Sequence, residues 1–231
     1  MKHRGLKYAA CLLALVSLAC VLGCTPRKPA GNGPSGAAQG SASAPVAEVV
    51  FVQGGVTING AAVDIGSKVK SPILVKTGPL SACELVWNKK NILHFKSDTT
   101  AQIDLGSATA RLRVDGGEVG AVLKGLAQVL NGDSFRVETK EVVLGIRGTF
   151  FFVHVGPEKT YLCDCSGYVE MTPAGGSPIE VVSSHHKAME FWKENGSTRS
   201  APAGLEYHTD ADMEALAAKV GVTVDWNGAP Q

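Results

Sequence analysis

The sequence predicts an all-β protein: an antiparallel sandwich, roll or short β-solenoid of many short strands, with a short C-terminal amphipathic helix. Three observations carry that reading. From Val46 onward apolar residues alternate with polar ones over short spans, the period of a half-buried strand. Gly, Asn and Asp interrupt those spans at roughly the 8–12-residue spacing of strand-and-turn folds. The 27 glycines against an aromatic content of 6% favour many turns and small-residue strands over long helices. At 231 residues the chain is long enough for one domain with appendages.

Taken in order, residues 1–23 are a leader. Lys2, Arg4 and Lys7 precede an apolar run from Tyr8 to Leu22, too short for an ordinary membrane span of roughly 20 residues. The run ends Val21-Leu22-Gly23-Cys24, which resembles a bacterial lipobox. The resemblance implies cleavage before Cys24 and covalent lipid on its thiol and new amino group, enough to hold the chain at a membrane. Thr25, rather than Asp, follows the cysteine, which in that pattern implies an outer-membrane lipoprotein facing the periplasm. An ordinary signal peptide with a coincidental cysteine is the alternative.

Loss of the leader removes three basic residues and no acidic ones, leaving 19 basic against 21 acidic. Phosphate backbones need clustered Lys and Arg, so a nucleic-acid partner is excluded. Residues 24–45 are rich in Pro, Gly, Ser and Ala and form a flexible tether with an expected reach of about 25 Å.

Residues 46–171 form the β domain. VAEVVFVQGGVTING reads as a strand, a Gly-Gly break and a short strand, with turns at Asp64-Ile65-Gly66 and Thr77-Gly78-Pro79. Ala82–Trp87 and Asn91–Phe95 are two strands across Asn88-Lys89-Lys90, and Ala101–Leu105 is a third. Leu112 and Val114 share a face before Gly116-Gly117, which reads as a break. AVLKGLAQVLNGD is a short helix or an irregular connection, and SFRVETKEVVLGIRGTFFFVHV returns to strand. Thr149 to Val155 is nearly all Phe and Val, the pattern of a strand covered on both faces. Residues 172–231 are a C-terminal β extension and a helix: Thr209 is the expected N-cap, Asp210 and Asp212 suit the first turn, and Gly221 suits the stop. Met213, Leu216, Ala217 and Val220 share its apolar face.

Three stretches between Phe51 and Met171 resemble a FecR domain: GGVTINGAAVDIGSKV, then Lys76-Thr77-Gly78 followed by ACELVW, and above all Val137-Glu138-Thr139 with Leu144-Gly145-Ile146-Arg147-Gly148-Thr149. The match covers about half the chain. It implies an extracytoplasmic binding and partner-contact module. Signalling members of that family carry a cytoplasmic segment and a membrane helix before the domain. Here a lipoprotein leader stands in their place, so direct contact with a cytoplasmic sigma factor is not expected. Independently of the resemblance, Gly145 and Gly148 bracket Ile146-Arg147, which predicts a tight turn with positive φ at either end. Arg147 is expected to clamp β layers there, by forking onto a carboxylate or carbonyls.

Chemistry is expected at the cysteines. Cys11 and Cys20 leave with the leader and Cys24 is lipidated, so Cys83, Cys163 and Cys165 remain. Three is an odd number for an oxidising compartment, where thiols pair. Cys163 and Cys165 lie two apart in a strand, so both sulfurs face one way. If Met171 pairs with Ile179, Cys165 falls opposite His185, and a bulge at Gly167 substitutes His186. Two thiols and an imidazole then converge, with Cys83, His154, His208 or Asp164 as a fourth ligand. Soft sulfur with imidazole suits zinc or another transition metal. The alternatives are a strained Cys163–Cys165 disulfide, a bridge from either to Cys83, or plain thiols.

No G-x-S-x-G elbow, P-loop or dinucleotide fingerprint occurs, so no enzyme activity is expected. His94, Trp87, Trp192 and Trp226 read as face and packing residues. The sequence therefore points to a lipid-anchored, non-catalytic FecR-like binding or scaffold module of the bacterial envelope, whose partner is another envelope protein or a glycan. The alternative is a metal- or redox-responsive sensor built on Cys163, Cys165 and His185 or His186.

Overall fold

Side-chain alternation along two long strands organises the molecule. The computed structural model describes residues 45–106, 109–124, 126 and 135–230, within a folded unit from Ala42 to Gln231. The leader, Cys24 and most of the tether lie outside the described residues, as does most of the stretch from Lys124 to Asp133. Among the described residues no helix is long and apolar enough to cross a membrane.

The strands are β1 (Val46–Gln53), β2 (Val56–Ile58), β3 (Ala61–Ala62), β4 (Lys68–Lys70), β5 (Ile73–Thr77), β6 (Ala82–Trp87), β7 (Asn91–Phe95), β8 (Thr100–Asp104), β9 (Ala110–Leu123), β10 (Phe135–Glu138), β11 (Val142–Ile146), β12 (Phe150–Val155), β13 (Lys159–Pro173), β14 (Ile179–Ser183), β15 (Lys187–Glu194) and β16 (Ser197–Ala203), followed by helix α1 (Asp210–Ala218). The first layer runs β4-β1-β6-β7-β9-β12-β13-β15-β16, antiparallel throughout. The second runs β3-β2-β5-β8-β9-β10-β11-β13-β14. β9 and β13 belong to both, each giving one half to each layer. The expected all-β architecture with a short C-terminal helix is what forms. One pair departs from it: β9 and β10 are parallel. β9 ends in the first layer, and β10 lies in the second beside the start of β9.

The break expected at Gly116-Gly117 and the bulge expected at Gly167 are bends inside those shared strands. Gly116-Gly117 lies within β9 and Ser166-Gly167 within β13. At Gly167 the reason is a close approach: φ is +144, and a Cβ there would sit 2.2 Å from Thr149 Oγ1. Only glycine lets the strand pass Thr149 and change layers. The Gly145 to Thr149 turn also differs from expectation. Gly145 is ordinary strand within β11, paired with Arg136 and Glu170, and the positive φ falls at Gly148 alone, at +50. Arg147 is exposed and lays its guanidinium over the Tyr168 ring, 5.8 Å from the centroid.

The inner faces of both layers bury one core, including Leu85, Phe95, Phe135, Phe151, Leu162 and Phe191. The outer face of the first layer carries a second apolar cluster: Ile92, Val122, Phe150, Phe152, Tyr161, Cys163 and Cys165. Alternation assigns neighbours to opposite sides, Phe151 inward and Phe150 and Phe152 outward. This explains why β12 is apolar on both faces. Met213, Leu216 and Ala217 of α1 cover the outer cluster. The helix is capped by Thr209 in a reciprocal box with Asp212, and Lys219, just after it, binds Glu84 through both carboxylate oxygens at 2.6 and 2.7 Å. β13 runs through Met171, so the sheet is continuous across the boundary expected there between domain and extension.

Candidate metal centre

The second cluster contains polar atoms that apolar packing does not account for. Met171 pairs with Ile179 and Gly167 with Ser183, the register read from the sequence. It does not continue to Cys165 and His185. Beyond Gly167 the partner of β13 becomes β15, where Cys163 pairs with Ala188 and Asp164 with Lys187, a shift of one residue. His186 therefore sits across from Cys165, its N–H donating to the Cys165 carbonyl at 3.0 Å, with φ of +44. On its other side β13 bulges against β12, where Phe150 meets Ser166 and Phe151 meets Asp164, leaving Cys165 unmatched. Irregularities on both flanks aim side chains that a regular ladder would splay.

The result brings together Cys163, Cys165, His186 and His208, whose ligand atoms all lie within 4.8 Å of one another. The sulfurs are 3.8 Å apart. Cys163 Sγ is 3.4 Å from His186 Nδ1 and Cys165 Sγ is 3.3 Å from His208 Nε2. A tetrahedral ion at ordinary zinc–sulfur and zinc–nitrogen distances sets sulfurs about 3.8 Å apart and sulfur–nitrogen pairs about 3.6 Å apart. The sulfur–sulfur edge of the cluster matches, and the two sulfur–nitrogen contacts are about 0.2–0.3 Å shorter than such an edge.

The outer nitrogens of both imidazoles are held. His208 Nδ1 lies 2.9 Å from the Glu206 carbonyl, which only accepts, so Nδ1 carries a proton and Nε2 is the nitrogen turned to the sulfurs. His186 Nε2 lies 2.8 Å from Asp210 Oδ1. Burial raises the Asp210 carboxyl, but hydrogen bonds from His185 and His186 outweigh it and hold it below the usual range. As a carboxylate it accepts, and His186 Nδ1 is left to face Cys163. Oriented imidazoles with a carboxylate or carbonyl behind them are the usual second layer of a metal site. His208 also stacks on Phe152 at 4.4 Å, and Trp226 lies 4.9 Å from both His185 and His186.

The two thiols are not equivalent. The hydrogen bond from Cys165 lowers Cys163, with His186 and His208 adding to it against burial. Burial and the neighbouring Cys163 charge raise Cys165 well above its ordinary value. Burial lowers His186, but Cys163 and Asp210 outweigh it and the net direction is up. Cys163, His186 and Asp210 thus form a nucleophile–base–carboxylate line. Yet Cys163 is 1% exposed, and the neighbouring cavity of about 200 Å³ is lined by Phe152, His208, Met213 and Leu216 but not by either sulfur. A closed four-ligand set suits binding better than turnover.

Of the residues read from sequence, Cys163, Cys165 and His186 converge and His208 is the fourth. His185 does not reach the sulfurs; it is half-exposed and bonds Asp210 Oδ2 at 3.0 Å. Cys83 points into the core between the layers, the opposite side of the sheet from Cys163 and Cys165, and burial, with the Glu84 charge, pushes its thiol up to about 12. Cys83, Cys163 and Cys165 are all free thiols. His154 stacks on Tyr207 at 4.1 Å, and Asp164 turns away to Thr149. Asp210 and Trp226 carried no sequence signal beyond helix capping and packing. The usable signal was that α1 must lay Met213 and Leu216 on the thiol-bearing face, which brings His208 and Asp210 with it.

No family model matches the chain, and no curated protein matches it. Two crystal structures of a candidate anti-sigma factor from Parabacteroides distasonis ATCC 8503, at 1.65 and 2.50 Å, resemble it with a TM-score of 0.47 and 14% identity. The match covers 56% of this chain and 59% of that one.

Proposed function

We propose that this chain is a non-catalytic, lipid-tethered binding module of the bacterial envelope that holds one borderline-soft divalent ion, zinc first, on Cys163, Cys165, His186 and His208. The observation that supports it is the set of interatomic edges, 3.8, 3.4 and 3.3 Å, combined with imidazoles turned inward by Asp210 and the Glu206 carbonyl. A divalent ion with two thiolates and two neutral imidazoles makes a complex of zero net charge, which suits a buried site. The lipobox-like Val21–Cys24 and the tether at 24–45 support anchoring at the outer membrane, facing the periplasm. The FecR-like stretches between Phe51 and Met171 support contact with another envelope protein or a glycan. The ion would tie β13 and the start of β15 to the segment before α1, so that metal availability sets how firmly that segment is held.

The test is elemental analysis of the reduced full-length protein after zinc loading and desalting. One zinc per chain is expected, and none in Cys163→Ser/Cys165→Ser. Sub-stoichiometric zinc in wild type, or retention in the double variant, overturns the reading. A second reading has an observation of its own: Cys163 is held towards the thiolate in contact with Cys165, as in a redox-responsive pair. A thiol count on the denatured native protein separates the two. Three reactive thiols outside the leader and Cys24 fit the metal centre, and one fits the disulfide.

A further inference from the structure

The thiol–imidazole cluster is buried, yet metal-ligating atoms continue from it to the surface. His186 uses Nδ1 towards Cys163 and Nε2 towards Asp210 Oδ1, at 2.8 Å. The other Asp210 oxygen, Oδ2, is 3.0 Å from His185 Nε2. His185, His186 and Asp210 have ligand atoms within 4.8 Å of one another. The side chains of His185 and Asp210 are 47% and 42% exposed, whereas that of His186 is 7% exposed. The second group therefore faces solvent, shares His186 with the buried group, and offers two imidazoles and a carboxylate without sulfur. Trp226, 4.9 Å from both histidine rings, lies against it.

We propose that His185, Asp210 and the outer nitrogen of His186 form a second, solvent-facing metal site, and that an ion bound there is the loading intermediate for the buried centre. The inference rests on the buried centre binding metal. Three protein ligands leave a coordination position for water, so an ion there exchanges readily, whereas four ligands with two thiolates close the inner site. Nitrogen and oxygen donors outside with sulfur inside make transfer inward downhill for a borderline-soft ion. The ion displaces the His186 Nε2 proton when it binds outside. When it moves inward, Nε2 recovers that proton, Nδ1 binds the ion, and the protons still held by Cys165 and by the Cys163–His186 pair leave to solvent. No oxidant or reductant is required. An ion waiting at the outer site meets the inner one at an effective concentration in the mM range, far above a trace free metal.

Cobalt(II) mixed rapidly with the reduced full-length protein reports both sites. The inner one gives sulfur-to-cobalt charge transfer. The outer one quenches Trp226 emission, identified by its absence in Trp226→Phe. In wild type a quenching phase should run ahead of charge transfer. In His185→Ala that early phase should vanish and charge transfer should rise about tenfold more slowly, as loss of a local ion reservoir requires. Charge transfer in His185→Ala as fast as in wild type overturns the loading role. Charge transfer in wild type with no earlier quenching overturns the outer site while leaving the buried centre standing. Quenching without charge transfer overturns the buried centre, and the loading role with it.

Discussion

Thr149 Oγ1 lies 2.9 Å from Asp164 Oδ1, both fully buried, and this contact fastens the Gly148 turn to the strand that carries both thiols. Thr149 also faces the Ser166 carbonyl. The Thr149 hydroxyl is the donor to both oxygens, sharing its one proton between the Asp164 carboxyl and the Ser166 carbonyl. Burial, together with the nearby Cys163 charge, raises Asp164 to about 7 despite the Thr149 hydrogen bond. Thr149→Val keeps the shape and leaves both Asp164 oxygens unpartnered, since Oδ2 already has no partner. We expect a loss of about 1–3 kcal/mol, read as a lower urea midpoint with an unchanged slope.

Glu84 contributes to the acid limb of stability, as do Glu118 and Asp210, which are also lowered. Its carboxylate is 3% exposed and is bonded by Lys219 and by His94 Nδ1 at 2.8 Å. Burial raises it, but the hydrogen bonds from His94 and Lys219 outweigh burial and the net direction is down. A lowered folded-state carboxyl stabilises above the unfolded range of about 4.3, and that contribution fades as the pH falls through the folded value. Glu84→Gln should cost about 1–2 kcal/mol at neutral pH, Lys219 being half-exposed. Urea titrations from neutral to acid pH should show the two proteins converging below the ordinary carboxylate range.

The N-cap of α1 adjoins the proposed metal centre, because His208 directly precedes it. Thr209→Ala removes the acceptor for the Asp212 N–H, at 3.2 Å, and should cost about 1 kcal/mol. It should also weaken zinc binding in a competition titration with a chromogenic chelator, and Thr209→Ser should restore both. Loss of stability with unchanged affinity would mean that His208 is held by Phe152 and the Glu206 carbonyl alone.

Bound metal should add stability by mass action. At a free ion concentration of about a hundred times Kd the gain is about 2.7 kcal/mol, which for a domain of this size raises Tm by about 5–10 °C. Differential scanning calorimetry with zinc and then excess chelator should show that shift reversibly. Cys163→Ser/Cys165→Ser should show none.

Asp210 offers the sharpest check on second-layer support. Asp210→Asn keeps the helix N-terminus but no longer fixes His186 with a carboxylate. Zinc affinity should fall by about 10- to 100-fold, with the cobalt charge-transfer band retained.

Much of this protein could be read before folding was considered. The Ala82–Trp87 and Asn91–Phe95 hairpin, the Thr209 cap and the Met213, Leu216 and Ala217 face follow from local periodicity and capping, which act over a few residues. The two-apart spacing of Cys163 and Cys165 likewise put both sulfurs on one side of a strand. Three features depended on contacts distant in sequence. Gly116-Gly117 looks like a break locally but is a bend inside β9, and at Gly167 packing against Thr149 makes a bend inside β13. The step from β14 to β15 moves the register by one residue and exchanges His185 for His186, because a single slip reverses every side chain's face. The fourth member of the cluster, His208, arrives with a helix whose docking depends on which sheet face is apolar. Within the Gly145–Met171 stretch, composition and spacing therefore fix the strand-forming tendency and the paired thiols. The partners of those thiols are set by sheet register and helix docking, which local sequence does not encode.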